Sequence, residues 1–284
     1  FSGWVGLGLG GLIYLVLPQI RARFMPQAKP YQFFICHHKA ARGTFARLLK
    51  HSLLHHHRVT RKVFLDSDDL TDLDTLFDTV AQKTTTLVVL CSADVLKRLW
   101  CVGELVMAQA YGIKVVPVIL DGFQLPDEVW IEAFPNMAGD VSCLSRHGIT
   151  LDMIKDTFQW FCTLQSIKLT GTPTLHMIEQ LVEHLVAGRY ALVEHNGDLI
   201  PQTCSTVVVV DHGNPEAVAT GQLLEAMLLP HFAQDPSQIA YLLPSGQPLP
   251  EGTQKVLIVC TVGALHCKGF LQTLVHAGQM QTQY

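Results

Sequence analysis

The stretch "TTLVVLCSADVLKRLWCVGELVMAQAYGIKVVPVIL", residues 85–120, decides the fold class. Its first part, "TTLVVLCS", is a continuous β-branched and leucine run, short enough for a strand buried on both faces. Its middle, "VLKRLWCVGELVMAQAYG", carries apolar residues at helical spacing and closes on Gly112, where a C-cap belongs. Its last part, "IKVVPVIL", is a second buried run. Strands that alternate with helices build a parallel sheet covered on both faces. Ligands of such sheets gather at the carboxyl ends of the strands.

The same texture extends in both directions. Upstream, "YQFFIC" (31–36) reads as a strand and "ARGTFARLLKHSLL" (41–54) as a helix. "KVFLDSDD" (62–69) is a strand running into acidic turn residues, and "LDTLFDTVAQ" (73–82) is a short helix. Downstream, "DGFQLPDEVW" (121–130) turns away from the sheet. Two helices are expected after it, over 150–169 and 173–187. The first domain therefore spans about 31–190. Residues 191–204 read as a linker, with Asn196 and Gly197 marking a turn.

After the linker the pattern restarts. "TVVVVDH" (206–212), "QIAYLLP" (238–244) and "KVLIVCT" (255–261) are strands. "NPEAVATGQLLEAMLL" is a helix with Asn214 as N-cap and Pro215 at the first helical position. "GALHCKGFLQTLVHAG" (263–278) is another. Laid over the first domain, His212 falls on His37, Cys260 on Cys91 and Thr273 on Glu104. Residues 205–284 are expected to be an incomplete second copy that stops before a fourth strand.

Composition narrows the partners. The chain is 49% hydrophobic and 15% charged, with a formal charge of −4. No basic stripe marks a nucleic-acid partner. Eight cysteines are scattered without a C-x-x-C pair and read as buried free thiols of a reducing compartment. Residues 1–20, "FSGWVGLGLGGLIYLVLPQI", carry no charge and are long enough to span a bilayer. Gly6 and Gly10 permit close helix packing there. Arg21 and Arg23 follow, which by the positive-inside rule places the downstream domains in the cytoplasm. The expectation is a membrane helix over 1–24, and the absence of an initial Met suggests a piece of a longer chain.

The first domain resembles the Toll/interleukin-1 receptor (TIR) family. The residues that carry the resemblance are "FFICHHK", "VFLDSDDL", "LVVLCS" and "RLWCVGEL". They are similar to those of membrane-attached protist TIR proteins and of NAD-cleaving TIR domains of animals. The resemblance implies a flavodoxin-like α/β fold and assembly with other TIR domains, as a homo-oligomer at the membrane. TIR domains either only assemble or also cleave the nicotinamide–ribose bond of NAD. In the cleaving kind, a glutamate on the helix after the third strand is catalytic. Trp100 and Glu104 match that family's Trp-to-Glu spacing, so the resemblance makes Glu104 the catalytic position. It assigns His37, His38, Lys39 and Trp100 to NAD, with Lys39 suited to a phosphate.

The chemistry suits a lone carboxylate. Nicotinamide leaves as a neutral base, and an oxocarbenium-like ribose remains for the carboxylate to stabilise. No metal or further cofactor is required, and NAD would be the substrate. On periodicity alone, Glu104 reads instead as an exposed glutamate on an amphipathic helix. Two functions therefore stay open: an assembly module with or without NAD cleavage, and a regulatory appendage of a larger membrane receptor or channel. Other constellations point nowhere firm. His51 and His55 have ligand spacing without a third partner. The acidic run from Asp66 to Asp74 fails the EF-hand pattern at Thr71 and Phe77 and reads as a solvated interaction loop. Cys36 beside His37 reads as a chance neighbour, since adjacent strand side chains face apart.

Overall fold

The computed structural model describes residues 28–69, 75–193, 205–232, 240–244 and 247–281. In chain order the first unit contains β1 (Tyr31–Cys36), α1 (Lys39–His55), β2 (Lys62–Leu65), β3 (Thr84–Cys91), α2 (Leu99–Ala110) and β4 (Lys114–Ile119). It continues with α3 (Glu128–Met137), α4 (Leu151–Phe161), β5 (Ile167–Leu169), α5 (Leu175–Ala187) and β6 (Leu192–Val193). The second unit contains β7 (Thr206–Val209), α6 (Pro215–Phe232), β8 (Ala240–Leu242), β9 (Lys255–Ile258) and α7 (Lys268–Gln281).

The six strands of the first unit pair in the order β2-β1-β3-β4-β5-β6, every pair parallel. That is the flavodoxin-like order, with its switch point between β1 and β3. The period-two alternation of the strands sorts their side chains into two cores. Phe34, Cys36, Phe64, Leu87, Val89 and Cys91 meet α2 and α4 on one face. Phe33, Ile35, Val63, Leu65, Val88 and Leu90 meet α1 and α5 on the other. Both faces are covered, which is why the strands are continuous apolar runs.

Several helices start where side chains cap them. Asp127 accepts from Trp130 N at 2.8 Å, and Thr150 accepts from Met153 N at 3.3 Å. Gly188, in the left-handed conformation at φ 65°, closes α5. Three expectations are corrected. The helix expected over 150–169 ends at Phe161, and Ile167–Leu169 is a strand beside β4. Leu192–Val193, placed in the linker, is the edge strand β6; the remainder of that linker, 194–204, lies outside the described residues. The segment 121–130, expected to turn away from the sheet, runs at its end into a helix, Glu128–Met137, with Pro135 inside it. Strands of two or three residues carry too little periodicity to be read, and the internal proline masks the helix.

In the second unit β8, β7 and β9 form a three-stranded parallel sheet in that order. It repeats the β2-β1-β3 arrangement. Asn214 caps α6 as its sequence indicates, accepting from Glu216 N at 3.0 Å. The units meet where α6 lies on α1. There α1 is kinked at Arg42 (φ −146°, ψ 28°), and the N–H of Thr44 donates to the Glu216 carboxylate at 2.6 Å. Gln222 donates to the Pro173 carbonyl, and Ala219 joins the α1 and α5 core.

Among the described residues no helix is long and apolar enough to cross a membrane. The span expected over 1–24 lies outside them. The cysteines among the described residues are free thiols, but not all are buried. Cys36, Cys91 and Cys101 are, Cys143, Cys162 and Cys267 are half-buried, and Cys260 is exposed.

Candidate functional site

The crevice at the β1/β3 switch point forms because α1 leaves β1 toward one face of the sheet and α2 leaves β3 toward the other. Three strand ends feed it. Cys36 closes β1 and His37 follows it. Asp66 comes directly after β2, and Ser92 directly after β3. From above, the first two turns of α2 bring Cys101 and Glu104, one face of the helix at i and i+3. The Cys101 thiol donates to the His37 carbonyl at 3.3 Å. The two thiol sulfurs and a Glu104 carboxylate oxygen all lie within 4.8 Å of one another.

Glu104 is 3% exposed, and its Oε2 has no hydrogen-bond partner. Burial pushes its carboxyl up to about 8. A hydrogen bond from the Cys36 thiol opposes that shift, Asp66 adds to it, and Lys39 weakly offsets it. The Cys36 thiol is itself raised well above its ordinary value, first by its contact with Cys101, then by burial and the nearby Glu104. Glu104 is therefore mainly the neutral acid at pH 7, and Cys36 is a thiol. An unpaired polar atom in a buried site is uncommon and calls for a specific explanation.

The residues expected around NAD divide into three groups. The His37 side chain is wholly buried and neither ring nitrogen is hydrogen-bonded; Asp66 is 3.7 Å away. Burial lowers its pKa against the pull of Asp66. Lys39 is exposed and pairs with Asp66 at 3.1 Å. His38 is half-buried, and its carbonyl accepts from Ala41 N and Arg42 N at the start of α1. Trp100 turns elsewhere, onto Phe77 at 5.5 Å and His147 at 5.9 Å between ring centroids.

The geometry brings Glu104 together with Cys36, Cys101 and the first-strand loop. It corrects the reading of Glu104 as a surface glutamate. Cys101, Val102, Gly103, Leu105, Val106 and Ala108 are buried with it, so α2 has no solvent face at this turn. Gly103 is covered by an aromatic side chain, since a Cβ there would stand 2.4 Å from the Phe77 ring. Besides Cys101, to which it gave no role, sequence reasoning weighed and set aside two site residues, Cys36 and Asp66. Their signal was positional, since each stands where a parallel strand ends. The acidic run is not a free loop either. Asp68 pairs with Arg47 at 3.1 Å and Asp69 with Lys50 at 2.7 Å, while Asp72 and Asp74 lie outside the described residues. His51 and His55 stack at 4.2 Å without a third ligand among the described residues.

A cavity of about 200 Å³ opens beside this crevice, lined by Ala93, Leu96, Lys97, Phe123, Asp127 and Trp130 among others. That is below the roughly 300–1,000 Å³ of ordinary ligand pockets. A larger cleft of about 640 Å³ lies between α1, α5 and α6, lined in part by His51, His55, Leu175, His176 and Glu183. It is remote from Glu104.

No family model matches the chain, and no curated protein matches it significantly in sequence. Among solved structures, it is similar to the TIR domains of the activated Roq1 resistosome that directly recognizes the pathogen effector XopQ. The identity is 15%, with 56% of this chain and 98% of that chain covered, and the TM-score is 0.39. Those figures identify no family.

Proposed function

We propose that the first unit is a TIR-type signalling module that acts by assembling with other copies and that holds Glu104 in reserve for NAD cleavage. The observation that carries this reading is the unpartnered, buried carboxyl at the carboxyl ends of β1 and β3, where sheets of this order bind ligands. A glutamate kept only for packing would be satisfied on both oxygens or replaced by an apolar residue. The TIR-like motif around it supplies the reaction class.

The resting site is closed. Glu104, Cys36, Cys101 and His37 are buried, and the carboxyl is mainly protonated at neutral pH. Cleavage then needs two changes. The crevice must open to admit nicotinamide riboside, and water or a cation must let Glu104 ionise. Assembly supplies both in this reading, because docking a second copy against the loops after β1 and β2 would pull His37 and Asp66 away from α2. The charged pair Lys39 and Asp66 at the rim is placed to meet the pyrophosphate or to be rearranged by it. Anchoring through residues 1–20 would raise the local concentration that assembly requires.

The test is nicotinamide release from NAD by the full chain, dilute and then clustered on vesicles. Release is expected only on clustering, and Glu104→Gln should lower it about 100- to 1,000-fold. Equal release by the two proteins removes Glu104 from the mechanism. No release in either state leaves an assembly module without catalysis.

A further inference from the structure

We propose that Cys36, Cys101 and Glu104 form a site for a thiophilic divalent cation, Zn²⁺ first among them, with a fourth position open to water. The three come from two elements that the fold forces together: the end of β1 and the first two turns of α2. Among the described residues this is the one cluster of three such side chains whose ligand atoms converge, all within 4.8 Å. Tetrahedral zinc with bonds of about 2.3 Å to sulfur and 2.0 Å to oxygen sets its ligands about 3.5–3.8 Å apart.

One further observation points to a ligand. Glu104 Oε2 is buried without a hydrogen-bond partner. The two thiols and the carboxyl are crowded together in a buried place. A divalent ion would deprotonate a coordinating thiol outright. Soft thiolate ligands favour zinc over calcium or magnesium. On binding, two thiol protons and the carboxyl proton pass to solvent. Three anionic ligands on Zn²⁺ with a neutral water leave the site at −1. Lys39 is the cation whose charge is felt at Glu104. Nothing is oxidised or reduced. The His37 carbonyl would lose the hydrogen bond that the Cys101 thiol donates to it.

The second unit provides the internal contrast. In its register, Asp211 stands for Cys36, Phe270 for Cys101 and Thr273 for Glu104. No two of those three are thiols, so that copy should not bind the ion.

The site shares Glu104 with the NAD reading, and a bound ion would hold that carboxylate away from NAD cleavage; its readouts need no NAD, so the two fail separately. The reduced full chain is titrated with Co²⁺. One equivalent should give a thiolate-to-cobalt charge-transfer band with tetrahedral visible bands, and Zn²⁺ should displace it. Cys36→Ser and Cys101→Ser should each weaken the charge-transfer band, and the double variant should abolish it. Cys260→Ser, exposed on the other unit, should leave it unchanged. Glu104→Gln keeps both thiols and should weaken Co²⁺ binding at least about tenfold. Should the cysteine variants fail to fold, X-ray absorption of the zinc-loaded wild type decides. Two sulfurs with oxygen neighbours support the site; four sulfurs, or none, overturn it. So does the absence of a band in the wild type, or a band that survives loss of both cysteines.

Discussion

The two units of this chain are built on one plan and finished differently. Each has a central strand, β1 or β7, flanked by two parallel neighbours, with a 3₁₀ turn and a helix after the third strand. The turn occupies Val95–Lys97 in one and Ala264–His266 in the other, and the helices begin at Leu99 and Lys268. At the corresponding crevice, the second unit settles its polar groups locally. Asp211 accepts from Gly213 N at 2.9 Å. His212 Nε2 meets the Leu243 carbonyl at 2.7 Å. The Thr273 hydroxyl donates to the Gly269 carbonyl one turn back, at 3.1 Å. In the first unit the matching groups are left wanting. Both nitrogens of His37 and one oxygen of Glu104 are buried without hydrogen bonds. An unpaired buried polar atom calls for a specific reason. The second unit's counterparts of this crevice have partners, while its Glu216 Oε1 and Gln222 Oε1, away from it, are buried without one. The first buries Glu104 and His37 with polar atoms unpaired beside two thiols, an environment of the kind found at functional sites.

The largest way to test that contrast is pH. Glu104 has a folded-state pKa of about 8 against an ordinary 4.5, so the folded chain holds a proton that the unfolded chain has released. Its contribution is fully present below about pH 4.5 and is lost as pH rises toward 8. Within that window the slope approaches about 1.4 kcal/mol per pH unit, a total of several kcal/mol. Glu104→Gln mimics the neutral acid and removes the slope, so the variant gains on the wild type as pH rises. Urea unfolding midpoints of the two proteins, compared from pH 5 to pH 8, measure it. Taking the difference cancels His37, whose lowered pKa makes stability rise with pH instead. Parallel curves would mean that Glu104 is not held neutral. The matching pair, wild type and Thr273→Val, should show no pH-dependent difference.

Packing over the two helices gives the next contrast. Gly103 lies under the Phe77 ring, which in turn lies tilted against Trp100 and edge-to-face with His147. Gly103→Ala forces that aromatic group to move, and overpacking of this kind costs about 1–3 kcal/mol. The equivalent position in α7 is Gln272, which is exposed. Gln272→Ala should change stability by less than about 0.5 kcal/mol. Denaturation of both variants reads the difference directly, and equal small effects would show that Phe77 yields easily.

A smaller effect tests the join between the units. The Arg42 kink leaves the Thr44 N–H without its helical acceptor, and Glu216 fills the gap from the start of α6. It acts as an N-cap supplied by the other unit, so Glu216→Ala should cost about 1 kcal/mol. Hydrogen exchange at the Thr44 amide should rise with it. Unchanged exchange there would remove Glu216 as its partner.

How much of this was legible follows from where the information lies. The long runs of β1, β3, β4 and β7 and the α2 pattern are local, so the parallel α/β class and the restart near residue 205 could be read. The two- and three-residue strands β5 and β6 are made by neighbours, not by their own sequence. The burial of Glu104 is likewise non-local. The segment around Phe77, Leu144 and helix α4 close over α2 from three separate places in the chain, and the period of α2 carries no trace of them. The sulfur partners of Glu104 were hidden for the same reason, since Cys36 and Cys101 meet only once β1 and α2 are packed.

The finest test exchanges nothing but a hydroxyl. Thr273 is 9% exposed and its Oγ1 bonds only within its own helix, a back-bond that contributes little and slightly bends helices. Thr273→Val keeps the volume and the β-branch, and its stability change should stay under about 0.5 kcal/mol at any pH. Glu104→Val in the first unit removes far more: an acid that hydrogen-bonds Cys36, that senses Asp66 and Lys39, and whose proton uptake sets a slope with pH. That variant should be pH-independent where the wild type is not, and should gain stability relative to the wild type toward pH 8. If Thr273→Val proves as consequential as Glu104→Val, the two crevices are equivalent and the first has no claim to be the functional one. If only the first responds, the repeat has kept its scaffold in both halves and its chemistry in one.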